Sequence, residues 1–100
     1  MSAHEMKGRH RAFVFVDVAP GKEKKVLKKL LKYDEVVEGH IITGQYDVFA
    51  VLEFELYGRE IFASFQETAS KFVVEKIRKL TDVLDTNTII PSFSVTKSAE

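Results

Sequence analysis

Two β-rich runs, residues 36–43 and 47–55, are separated only by Gly44-Gln45-Tyr46, and this connection constrains the fold more than any other feature. So short a link cannot carry a crossover, so the two runs must be antiparallel neighbours. Upstream, residues 11–18 (RAFVFVDV) are β-branched and aromatic and end at the breaker pair Pro20-Gly21; they read as a strand. Residues 22–33 then place Val26, Leu27, Leu30 and Leu31 on one stripe among lysines, the pattern of an amphipathic helix starting near Pro20. Downstream of a break at Tyr57-Gly58, Ile61, Phe65, Ala69, Phe72, Val73, Ile77 and Leu80 recur every three or four positions, with Ser64 and Glu67 spaced as a capping box. That predicts a longer second helix. Residues 85–95 (DTNTIIPSFSV) read as a last strand, in which Pro91 lacks a ladder donor and so demands an edge or a bulge.

The order β-α-β-β-α-β predicts an α+β, ferredoxin-like fold: a four-stranded antiparallel sheet with both helices on one face and the last strand at an edge. Period two sorts Phe13 and Phe15 to one face of the first strand and Val14, Val16 and Val18 to the other. The third strand likewise divides Phe49 and Val51 from Val48, Ala50, Leu52 and Phe54. Both faces are therefore apolar, and two helices on one side leave the other exposed. A patch of that kind marks an interface, so Phe13, Phe15, Phe49 and Val51 are expected to form a sheet-to-sheet homodimer, a dimeric α/β barrel. The alternative is that the second helix and its lead-in wrap round to cover the patch.

One hundred residues suit one domain, expected over 11–96, with flexible tails at 1–10 and 97–100. Fifteen basic and fifteen acidic residues cancel, which removes any overall attraction to nucleic acid or anionic lipid. The six lysines and one glutamate of residues 22–32 read as a solvated helix face, so direct nucleic-acid binding is not expected. No apolar run approaches the roughly 20 residues of a membrane helix, residues 1–10 lack the apolar core of a signal peptide, and cysteine is absent; a cytoplasmic protein is expected. His4, His10 and His40 show no metal-ligand spacing, and neither a metal nor a cofactor is predicted. With no Ser-His-Asp constellation or phosphate loop, an enzyme is not expected; that alternative rests on His40, Tyr46 and Asp47 meeting in a pocket between sheet and helices.

Several short stretches, taken in order, carry a family resemblance: residues 11–18 followed by Pro20-Gly21-Lys22-Glu23, then Val36-Val37-Glu38-Gly39, Thr43-Gly44-Gln45-Tyr46-Asp47, "EKIRKLTDV" and "TNTII". Together they resemble the ligand-binding (RAM) domain of the Lrp/AsnC transcriptional regulators, over about residues 11 to 95. Only ten residues precede the first strand, so the likeness is to the stand-alone form without a helix-turn-helix. Residues 55–63 make a longer link than the family's usual one. The resemblance implies amino-acid sensing: sheet-packed dimers, octamer-like assemblies, a small effector such as an amino acid bound between dimers near the hairpin, and co-assembly with a full-length Lrp/AsnC regulator.

The chemistry of the TGQYD hairpin suits that implication. A glycine turn at Gly44-Gln45 can offer backbone N–H groups to a carboxylate, and Asp47 can accept from an ammonium. Thr43, Thr86 and Thr88 would add hydroxyls, with Tyr46 as an amphipathic wall. The same residues also suit a plain turn, in which Gly44 supplies a positive φ, Asp47 bonds turn amides and Tyr46 packs across the hairpin. A ligand-free oligomerisation domain is the corresponding third function class.

Overall fold

The computed structural model describes residues 3–5, 9–56, 61–92 and 95–97. Its elements are β1 (Ala3–Glu5), β2 (Arg9–Val18), α1 (Glu23–Leu30), β3 (Val36–Ile41), β4 (Val48–Glu55), α2 (Ile61–Phe72) with a π-helical continuation over Val73–Ile77, β5 (Val83–Ile89) and β6 (Val95–Lys97). Strands β2 to β5 form one antiparallel sheet in the order β3-β4-β2-β5, the ferredoxin-like α+β topology that the sequence order predicts.

Alternation along the strands decides which face each residue serves. Ala12, Val14, Val16 and Val18 of β2 and Val48, Ala50, Leu52 and Phe54 of β4 are buried in one cluster. The helices complete it with Val26 and Leu30 from α1 and with Phe65, Ala69, Phe72, Val73 and Ile77 from α2 and its continuation. Both helices therefore lie on the same face. At edge strand β3, a Cβ on Gly39 would run into Cδ1 of Leu27, so glycine there lets α1 settle close to the sheet. No helix among the described residues is long and apolar enough to cross a membrane.

The structure departs from expectation in five places. Helix α2 begins at Ile61, so Ser64 and Glu67 lie within it and do not form a capping box. Its continuation over Val73–Ile77 is π-helical, with the Arg78 N–H donating to the Val73 carbonyl at 2.8 Å; this wider turn lets sequence neighbours Phe72 and Val73 both reach the core. Strand β5 stops at Ile89, short of Pro91, at the sheet edge where a missing donor is tolerated. The hairpin connection runs from Ile42 to Asp47, longer than the three residues read from sequence. Lastly, within the stretches expected as tails, Ala3–Glu5 pairs antiparallel with Val95–Lys97, and β2 already begins at Arg9. That pairing satisfies backbone groups that a tail would leave to water. The longer 55–63 link falls largely outside the described residues.

Candidate functional site

The face of the sheet opposite the helices is aromatic at its centre. Register sets Phe13 against Val51, and Phe15 against Phe49, across β2 and β4. The Phe15 and Phe49 rings are 4.9 Å apart and those of Phe13 and Phe49 5.9 Å. Tyr46, arriving from the hairpin, packs on Phe15 at 5.6 Å, and His40 of β3 stacks on Phe49 at 5.8 Å. Five rings thus form one contiguous surface, extended on β5 by exposed Ile89 opposite Phe13. Val51 is already only 3% exposed, so its part in any contact is to support the neighbouring rings.

Charged groups sit at both ends. Towards the start of β2, Arg11 Nε donates to Glu53 Oε2 at 2.8 Å, its Nη1 lies 3.9 Å from Glu38, and Glu38 Oε1 is 3.2 Å from His40 Nε2. At the other end, Asp17 continues the alternation of Phe13 and Phe15 and faces Asp85 across β2 and β5. Asp47 joins this acidic end through three backbone-directed bonds. Its carbonyl accepts from the Ile42 N–H (2.9 Å), its own N–H donates to the Val16 carbonyl (3.0 Å), and its Oδ2 accepts from the Val18 N–H (2.9 Å). The carboxylate therefore ties the hairpin to β2, while the connection's own amide at Ile42 is met by the Asp47 backbone carbonyl. Gly44 takes a φ of +142°, in the region that favours glycine. A hydrogen bond with the Asp47 carboxylate raises the Asp17 pKa above 3.8, helped by desolvation and by the charges of Asp47 and Asp85.

The sequence-predicted residues divide between the two sides of the sheet. Thr43, Gly44 and Gln45 are exposed on the loop, while Tyr46 and Asp47 are half-buried at the open face. Thr86 and Thr88 pair with Val16 and Val14, which assigns them to the helix side, across the sheet from Tyr46. Asp17 and Asp85 stand at the hairpin's acidic end in their place. Sequence reasoning passed over Asp17, although period two from Phe13 and Phe15 points to it. His40, Tyr46 and Asp47 have no hydrogen bond to one another among the described residues: His40 turns to Glu38 and Asp47 to Val18. On the helix side an open groove of about 390 Å³ lies beside Phe54 and Phe72, with Glu35, Lys71 and Glu75 on its rim.

No family model matches the chain. It is 30% identical over 79 residues to an uncharacterised HTH-type transcriptional regulator of Pyrococcus horikoshii, covering 79% of this chain and 44% of that relative; the chain thus spans less than half of the curated protein's length. Among solved structures it superposes on FFRP-DM1 with a TM-score of 0.65 and 30% identity, covering 82% of this chain and 97% of that one. E. coli AsnC shares the fold at a TM-score of 0.68 and 20% identity, over 85% of this chain and 51% of AsnC. A Neisseria meningitidis transcriptional regulator, solved as an L-Met complex, does so at 0.54 and 20%, over 91% and 53%. The ferredoxin-like topology is thus that of the small α+β domains of transcriptional regulators. The chain belongs to the Lrp/AsnC family and corresponds to its ligand-binding domain.

Proposed function

We propose that this domain binds an amino acid or a related small zwitterion beside the TGQYD hairpin, pairs with a second copy through its open aromatic face, and modulates a transcriptional regulator by co-assembly. The observation that carries the reading is the junction of an aromatic surface with a carboxylate end: Tyr46 and Phe15 border Asp47, Asp17 and Asp85. An ammonium group is attracted both by carboxylates and by ring faces, and loop N–H groups at Gly44 and Gln45 suit the opposite, anionic end of a zwitterion. The L-Met complex of the Neisseria regulator supports an amino-acid ligand. Higher assembly around such dimers would let ligand act through differential affinity for assembly states.

The test is a thermal-unfolding screen against the twenty amino acids. A ligand present at about 100 times its Kd stabilises the fold by roughly 2.7 kcal/mol, a shift of about 10 °C or more for a domain of this size. Asp47→Asn is the informative variant because its side-chain oxygen can still accept from the Val18 N–H while the charge is gone. A selective shift in the parent that is lost in Asp47→Asn, with assembly intact, is the expected result. No shift with any amino acid would point to a ligand-free assembly domain.

A further inference from the structure

We propose that a second copy of this chain binds the open face with uptake of a proton at His40. The inference rests on the pairing reading above and adds the charge state in which pairing occurs. Arg11, Glu53, Glu38 and His40 form one continuous set of contacts at 2.8, 3.9 and 3.2 Å. With a neutral imidazole this set holds one cation and two carboxylates; with a protonated one it holds two of each. Solvent tolerates the excess negative charge in the single chain, where the Arg11, Glu38 and His40 side chains are 34%, 48% and 50% exposed. A sheet laid on the face removes that solvent, and an unbalanced charge becomes costly to bury while a matched set does not carry the same penalty.

His40 is placed to feel this change because its ring is stacked on Phe49, at the centre of the aromatic surface. The groups in contact with it are Glu38 on its own strand and Phe49 from β4; Glu38 in turn meets Arg11 from β2, which is held by Glu53 of β4. The other titratable groups of the face, Asp17, Asp47 and Asp85, lie at the far end of β2, and being acidic they reinforce the demand for a cation. Because the paired state favours protonated His40, association tightens as pH falls and weakens as pH rises.

Sedimentation equilibrium of the full chain near pH 6 and pH 8 tests this. One proton per protomer, two per dimer, permits up to about 100-fold in the association constant per pH unit; at least about tenfold tightening between about pH 8 and about pH 6 is expected. His40→Gln should pair with an affinity that no longer varies over this range. Glu38→Gln leaves Arg11 balanced by Glu53 alone, so it should pair near pH 8 about as tightly as the parent does near pH 6. A parent dimer of constant affinity, a slope that survives in His40→Gln, or a Glu38→Gln dimer as weak as the parent near pH 8 overturns the proton uptake and leaves pairing standing. A parent that stays monomeric at both pH values overturns the pairing reading, and this inference with it.

Discussion

The two faces of the same four strands have been given different chemistry. On the helix side the strands contribute aliphatic residues almost without interruption, and Ala12, Val14, Val16, Val48, Ala50 and Leu52 are 0% exposed. On the open side they contribute Phe13, Phe15 and Phe49, joined by Tyr46 and His40 and bounded by ionised groups. Close-packed aliphatic surface is what a chain needs to bury against itself. A ring-rich centre with an arginine and a polar border is the composition of a surface that meets another molecule. The contrast separates the face that holds the domain together from the face proposed to meet a second copy.

The largest effect should come from breaking the covered face. Leu52→Ala removes a fully buried side chain from the centre of the cluster and is expected to cost about 2–5 kcal/mol of unfolding free energy, measured by urea denaturation. The open face should respond in the opposite pattern. Phe15→Glu takes away the ring that joins Phe49 and Tyr46, and it is expected to weaken self-association by at least about 30-fold, or 2 kcal/mol, with the far-ultraviolet dichroism of the folded chain retained. If Phe15→Glu unfolds the domain, or leaves the association constant where it was, the division of labour between the faces fails.

Much of this contrast is legible in the sequence because period two is unambiguous in β2 and β4. Val14 and Val16 alternate with Phe13 and Phe15 in a strand long enough to leave no other register. The helical stripes are equally clear, since Val26, Leu30, Phe65, Ala69 and Ile77 all reach the core. What escapes is set by contacts distant in sequence. Asp47 reads locally as a turn residue, yet its oxygen goes to Val18, 29 positions away. Thr86 and Thr88 look like loop-facing hydroxyls until the register with Val16 and Val14 turns them to the helix side. Asp82, at a left-handed φ of +76° and 3.8 Å from Lys25, has no sequence signal beyond the general tolerance of aspartate for that conformation. The π-helical continuation over Val73–Ile77 is invisible for a different reason: α and π turns share nearly the same hydrophobic spacing over five residues.

The smallest expected effect sharpens the acidic end of the open face. Asp17 holds its proton more tightly in the fold than the ordinary 3.8, because it shares a hydrogen bond with the Asp47 carboxylate and lies near the charges of Asp47 and Asp85. A carboxyl whose pKa is raised by folding favours the fold while it is protonated, below pH 3.8, and loses that contribution as pH rises through the folded value. At neutral pH the ionised Asp17 therefore stands against its neighbours. Asp17→Asn should keep a hydrogen bond to Asp47 while removing the repulsion, so its thermal midpoint should rise by a degree or so relative to the parent at about pH 7, and the two curves should converge towards about pH 3. Asparagine offers the cluster no charge to an ammonium, so the same variant should weaken amino-acid binding if the ligand's cation sits among these three acids. A variant that is stabilised near pH 7 and still binds its ligand as the parent does would confine the ammonium to Asp47 and Tyr46, and would make Asp17 a cost that the open face carries for another purpose.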